Sequence, residues 1–265
     1  DDPRRKTAVN IAWMMTENIE HETALLLQII SGMLVGSAAG PLRKALIDSG
    51  LGEDLSPLTG IEPDLKQIAF IVGLRGTDPD KTQRIEALIM DTLKDIAKSG
   101  FDRALIEGTL HQVEFNGKEI VRSAYPYGII LMGRAYHTWL YDGDPLEGLN
   151  FPRAIEEIRR KWEANPDLFQ EIIRIWFLDN PHRLLSVMEP SKTYQAEQEE
   201  AFKKKMALLK ASLSGDDLEN IRRDAQSLKK FQAEPDAPAA ASALPRLSIS
   251  DISRSIETIP TTNAA

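Results

Sequence analysis

Metal chemistry is the first possibility that residue types and spacing raise in this chain. The stretch Met14–Ile30, MMTENIEHETALLLQII, brings Glu17, Glu20, His21 and Glu22 close together. A zinc helix sets two imidazoles at i and i+4 on one face, with a carboxylate beside them to activate water. The forward pattern H-E-x-x-H fails because Leu25 stands where the second histidine belongs. The inverted pattern H-x-x-E-H keeps Glu20 and His21 but offers Glu17 in place of its first histidine. No third ligand is identifiable downstream. The competing reading is an ordinary helix start, with Asn18 as N-cap and Glu20 and Glu22 placed to favour the helix dipole.

The other three of the four histidines lack ligand spacing to a second one. His111 falls in a helical pattern, His137 sits among aromatics in RAYHTW, and His182 follows Asn180-Pro181 at the start of a strand pattern. Packing or hydrogen bonding accounts for each. GSAAG, Gly36 to Gly40, is glycine-rich but lacks the G-K-[ST] ending of a phosphate loop. Ser37 has no nucleophile-elbow context. The two aspartates of YDGDP match no calcium-loop spacing and fit a helix-ending turn.

Totals narrow the classes further. A formal net charge of −8 argues against a nucleic-acid partner, which needs clustered Lys and Arg. With no cysteine, disulfides, thiolate zinc sites and cysteine nucleophiles are excluded, which fits a reducing compartment. No apolar run reaches the roughly 18 residues of a membrane span. The residues by themselves therefore assemble no complete active site.

The elements that would position these residues follow from periodicity. KTAVNIAWMM alternates as a strand with Val9, Ile11 and Trp13 on one face, and ALLLQIISGMLVG is a helix apolar nearly all round. GSAAG breaks that helix, and Pro41 opens a short one closed by Gly50. QIAFIVGLRG is a second strand; helices follow from Asp78, from Phe101, after YPYG, from Phe151 and from Pro166, and HRLLSVMEP closes as a strand. Few strands and many helices out of strict alternation predict an α+β fold over residues 1–190, an antiparallel sheet with helices packed against it. Residues 191–232 predict a helical hairpin, with helices over 192–213 and 216–232 and a narrow stripe of Phe202, Met206, Leu209, Leu213, Leu218, Ile221 and Leu228. That stripe either seals the two helices together or packs on a neighbour. Residues 233–265 read as a Pro/Ala linker without helical periodicity, then a strand-like RLSISDIS that begins a further domain.

Four segments in one order carry a resemblance: ENIEHETALLLQIISGMLVGSAAGPLRKALIDSGLGEDLSP, HTWLYDGDPLEGLNF, LDNPHRLLSVMEPS and LPRLSISDI. They resemble the presequence-protease branch of the insulinase (pitrilysin) family of zinc metallopeptidases, over nearly the whole chain. The resemblance implies the metallopeptidase fold shared with processing peptidases, in a polypeptide of four related domains that closes around an unfolded peptide. By it, residues 1–190 match a non-catalytic second domain, 191–232 the hairpin linking two halves, and the tail the start of the third domain. It implies zinc in the parent protein, held in the first domain, and no cofactor, metal or catalytic residue in this stretch. The partners it implies are unfolded peptide and the remaining domains, in a bacterial cytoplasm or an organelle matrix, with no nucleic acid and no membrane. It makes Glu17, Glu20 and His21 a vestige of the first domain's zinc helix, and gives Gly36, Ser37 and Gly40 a place lining the peptide chamber. The alternative is a stand-alone peptide-binding or scaffold module of the same fold without peptidase activity.

Overall fold

Val9, Ile11 and Trp13 alternate along β1 (Thr7–Glu17), and all three are fully buried. The helix that follows, α1 (His21–Val35), is apolar on almost every side and is enclosed accordingly. Next come α2 (Pro41–Asp48), two short strands β2 (Asp54–Leu55) and β3 (Gly60–Glu62), and the long β4 (Gln67–Thr77). Five helices complete the first part: α3 (Thr82–Ser99), α4 (Arg103–Lys118), α5 (Tyr127–Trp139), α6 (Phe151–Ala164) and α7 (Leu168–Ile173). A π-helical turn, Arg174–Leu178, runs on from α7 and leads to β5 (Arg183–Met188). This computed structural model describes residues 4–120, 126–149, 151–245 and 248–251.

The sheet is antiparallel throughout, in the order β2-β4-β1-β5, with β3 also paired to β4. The expected α+β architecture is therefore what the chain adopts. Register follows the apolar alternation: Val9, Ile11 and Trp13 face Leu74, Val72 and Phe70 of β4, all buried. A one-residue slip would turn that whole set to the other face. At Asn10 the strands run so close that a Cβ on its partner Gly73 would lie 1.9 Å from the Val9 carbonyl oxygen, so only glycine fits there. The sequence pattern did not reveal β2 and β3. At two and three residues they carry no period of their own, and they exist because the edge of β4 supplies their partners.

Three aromatic rings fix the far end of this unit to its beginning. Trp13 and Phe70 approach at 6.1 Å between centroids, Trp13 and Phe177 at 5.5 Å, and Phe70 meets Phe177 edge-on at 5.1 Å. The Trp13 Nε1–H donates to the Phe177 carbonyl oxygen at 2.9 Å, so the indole is both buried and satisfied. Helices α4 and α6 are joined by Glu114, whose carboxylate accepts from Lys118 at 2.7 Å and from Arg159 at 2.9 Å.

The chain divides into two compact units, Asp1–Ser191 and Lys192–Ala265. In the second, α8 (Tyr194–Ser212) and α9 (Gly215–Ala233) are separated by Leu213 and Ser214 alone. The break is shorter than LSGDD suggested. Ser214 Oγ accepts from the Asp217 N–H at 3.1 Å while Asp217 accepts from the Ser214 N–H at 3.0 Å, a capping box that draws Gly215 and Asp216 into the helix. The Ser214 hydroxyl, which also donates to Asp217 Oδ2 at 2.6 Å, and then the Ser214 N–H hold the Asp217 carboxyl below its ordinary pKa. Neither helix buries a residue, and Phe202, Leu209, Ile221 and Leu228 are each more than half exposed. The stripe does not seal the two helices together. A further correction concerns the Pro/Ala linker, where Pro238–Ser242 forms one helical turn, α10, with Pro238 at its first position and alanines after it. Of the strand-like tail, Ile249–Asp251 is a 3₁₀ turn and residues 246–247 and 252–265 lie outside the described residues.

Two stability predictions follow. Trp13→Ala should cost about 3–5 kcal/mol by loss of a fully packed aromatic. Trp13→Phe should cost about 1–3 kcal/mol, because it keeps the ring packing but orphans the Phe177 carbonyl. Urea denaturation separates the two, and a Trp13→Phe variant as stable as the parent would show that the hydrogen bond contributes nothing. The second prediction concerns acid. The Lys118 hydrogen bond, and then that of Arg159, hold the Glu114 carboxyl below its ordinary pKa. A depressed folded-state pKa stabilises the fold above the usual carboxylate range and loses that effect as pH falls through it. Glu114→Gln should therefore melt below the parent at neutral pH, with the gap closing as pH falls through and below the usual carboxylate range; a pH-independent gap would assign the loss to packing.

Candidate functional site

The candidate metal helix begins later than its sequence suggests. β1 pairs regularly as far as Met14↔Ala69, then shifts register so that Glu17 meets Gln67. The Asn18 N–H continues the ladder by donating to the Lys66 carbonyl at 2.9 Å. A turn follows, closed by the Glu20 N–H on the Glu17 carbonyl at 3.1 Å, and α1 starts at His21 with Glu20 as its cap residue. Glu20 makes no side-chain capping bond. Asn18 is thus not the N-cap that the sequence indicated. It is buried, and its Nδ2 donates to the His137 carbonyl at 2.7 Å, tying the end of β1 to α5.

That placement separates the three candidate ligands. Glu17 ends a strand, Glu20 lies in the cap, and only His21 is helical. An inverted zinc motif needs all three on consecutive helical turns, so the local backbone does not present them together. Glu22, in the first turn, forms an ion pair with Lys161 of α6. Among the described residues no three His, Asp or Glu side chains stand close enough to hold a metal ion.

The remaining histidines lie on separate elements. His111 is exposed on α4. His137 Nδ1 lies 2.9 Å from Asp64 Oδ1, and the Tyr141 hydroxyl donates to the Asp64 carbonyl at 2.8 Å, so β3's outgoing loop and α5 share one clasp. His182 accepts the Met14 N–H through its carbonyl at 3.1 Å, just ahead of β5. Sequence reading missed the ties of Asn18 and Asp64 to His137 because these partners lie far along the chain.

Gly36, Ser37 and Gly40 form one tight turn between α1 and α2. The Gly40 N–H donates to the Ser37 carbonyl at 3.0 Å, and the Ala39 N–H reaches Ser37 Oγ at 3.3 Å. Gly36 and Ser37 are exposed, whereas Gly40 is buried. A Cβ on Gly40 would lie 2.6 Å from the Leu34 carbonyl oxygen, so this glycine lets α2 turn back against the end of α1. Beside the turn, Ala39 and Pro41 border a shallow groove with Asp95, Ser99 and Asp102. Asp102 is engaged there as the cap of α4, accepting from the Ala104 N–H at 2.7 Å.

Comparison with known proteins now decides the family. A model described as "Peptidase M16 inactive domain" matches residues 1–113, and a second, for the segment associated with peptidases of the C group of M16, matches residues 188–265. The chain belongs to the M16, or insulinase, peptidase family. Within it the chain falls in the presequence-protease branch. It is 32% identical over 263 residues to Presequence protease 1, chloroplastic/mitochondrial, of Arabidopsis thaliana, covering 98% of this chain and 24% of that protein. Protein HypA of Clostridium perfringens is 31% identical over 261 residues, with 98% and 26% covered. The mitochondrial presequence protease of Yarrowia lipolytica is 31% identical over 254 residues, with 96% and 25% covered. The chain thus spans about a quarter of the length of these relatives.

Solved structures support the fold. The periplasmic protease PqqL from Escherichia coli superposes with a TM-score of 0.53 at 12% identity, over 72% of this chain and 20% of that one. A protease from Helicobacter pylori gives 0.51 at 14%, over 72% and 42%. Membership of a zinc peptidase family implies a metal, but the Glu17, Glu20 and His21 geometry does not fit one. Elemental analysis of the purified chain should accordingly find no stoichiometric zinc, with His21→Ala indistinguishable from the parent. Zinc near one per chain, lost in His21→Ala, would overturn this.

Proposed function

We propose that this chain is a non-catalytic part of a longer zinc metalloendopeptidase that degrades unfolded peptides, and that it forms chamber wall and hinge. The observation that carries the reading is the match of the inactive-domain model to the very residues whose backbone separates Glu17, Glu20 and His21. Coverage of only a quarter of each relative favours a part of a larger polypeptide over a stand-alone module. In this reading the zinc and the general base reside in other domains, and these residues hold peptide near them. Gly36 and Ser37 face the chamber, while Gly40 holds the turn that presents them. Glu17, Glu20 and His21 are the corresponding helix start of a domain that has no metal. The α8–α9 segment serves as the hinge between halves, and its open stripe packs on the remaining domains. The mitochondrial and chloroplastic names of the relatives support an organelle matrix, or the cytoplasm of a bacterium.

The test uses the purified chain and a quenched-fluorescent unstructured peptide, with zinc supplied. The peptide should remain uncut while its anisotropy rises on titration. Turnover that follows the chain would overturn the non-catalytic reading, and absence of binding would overturn the wall role.

A further inference from the structure

The segment from Pro126 to Leu149, α5 with the turns that follow it, belongs to the first unit without entering its core. Thr138 alone is buried within it, and the Thr138 hydroxyl donates to the Asp144 carbonyl at 3.3 Å, inside the same segment. No residue of the segment belongs to the buried apolar cluster that binds the sheet to α1, α3 and α4. Ile129, Met132, Tyr136 and Trp139 of α5 are each between 40% and 55% exposed. Apolar burial, which secures the other helices, therefore contributes little here.

The attachments are polar, and they gather at one end. Asn18 Nδ2 donates to the His137 carbonyl at 2.7 Å, His137 Nδ1 lies 2.9 Å from Asp64 Oδ1, and the Tyr141 hydroxyl donates to the Asp64 carbonyl at 2.8 Å. His137 and Tyr141 bracket the C-terminal end of α5. Further towards its start the Arg134 guanidinium donates to the Gly117 carbonyl at 3.2 Å, and Pro126 supplies no side-chain cap. The clasp is also incompletely satisfied: Asn18 Oδ1 is buried and has no partner among the described residues.

Composition weakens α5 as well. It has 13 residues, and Gly128 and Gly133 stand within it. Packing requires neither glycine, since a Cβ at each would meet nothing within 4 Å. Glycine inside a helix is less stable than alanine, and a helix this short does not persist alone in water. The attachments are thus what keep α5 helical.

We propose that Pro126–Leu149 is a latched flap. It opens by releasing the ties among Asn18, Asp64, His137 and Tyr141, whereupon α5 unwinds while the sheet, α1 and α3 stay closed. Opening frees the Asn18 amide from its half-satisfied position, so the closed state is favoured only narrowly. Loss of a tie opens the flap further, and a stronger α5 helix closes it. This inference stands independently of the peptide-handling role above.

Hydrogen–deuterium exchange of the purified 265-residue chain, resolved to α1, α3 and α5, tests it. Backbone amides of α5 should exchange well before those of α1 and α3, because a local opening requires less free energy than global unfolding. Asp64→Ala with Tyr141→Phe should speed α5 exchange about fivefold or more, through the loss of two ties, and leave α1 and α3 unchanged. Gly128→Ala with Gly133→Ala should slow α5 exchange about fourfold or more, again with α1 and α3 unchanged. Circular dichroism verifies the fold of each variant. Protection of α5 equal to that of α1 and α3 would overturn the flap. So would latch variants that leave α5 exchange as it was or speed all three helices alike. Alanine variants that fail to slow α5 would overturn it too.

Discussion

The hydrogen bond from Trp13 to the Phe177 carbonyl joins residues 164 apart in sequence, and the first unit is organised around it. Its indole occupies the middle of β1, between Phe70 of β4 and the π-helical turn after α7. With that turn fixed, Asn180 donates to the Met14 carbonyl at 2.9 Å and the chain enters β5 antiparallel to β1. This one buried, satisfied aromatic joins β1 to β4 and to the turn that leads into β5. Nothing local to KTAVNIAWMM specifies that partner. It is the arrival of a distant carbonyl that makes a tryptophan, and not another large apolar residue, the fitting side chain.

A second constraint explains why a motif that resembles a metal helix is an ordinary helix start. The register shift at the end of β1 consumes the residues that would otherwise form the first helical turn. Asn18 is committed to His137 and Lys66, so Glu17 is held in the sheet and α1 cannot begin before His21. Ligand geometry is a property of backbone phase as much as of residue type. Shifting a helix start by about one turn, roughly 5.4 Å along the axis, is enough to disperse three donors. The family relation gives this a context, since residues 1–113 match a model described as an inactive domain.

The second unit obeys different physics. Its helices are supported by local devices: a capping box at Ser214 and Asp217, and i,i+4 ion pairs such as Glu200–Lys204 and Lys230–Glu234. Such pairs are each worth only a few tenths of a kcal/mol, and no apolar residue is buried to add to them. The two long helices there are legible in the sequence because local rules govern them, whereas the destination of the apolar stripe is not. The same contrast holds for α5, whose three- and four-residue spacing is visible in GIILMGRAYHTW but reads equally as a covered face or an open one.

The sequence by itself determined the alternation of β1, the all-round apolar character of α1, the breaks at GSAAG and Gly50, and the succession of amphipathic helices. Those features arise from neighbours within a few residues, so the α+β class could be read from them. It also excluded cysteine chemistry and offered no complete set of ligands. The tertiary structure decided where α1 begins, that β2 and β3 exist, that β5 lies beside β1, and that the stripes of α5, α8 and α9 stay open. Each of these depends on a partner many residues away, as Asn18 depends on His137 119 positions later. Local pattern sets which face of an element is apolar, and only the packed chain settles which of those faces are covered.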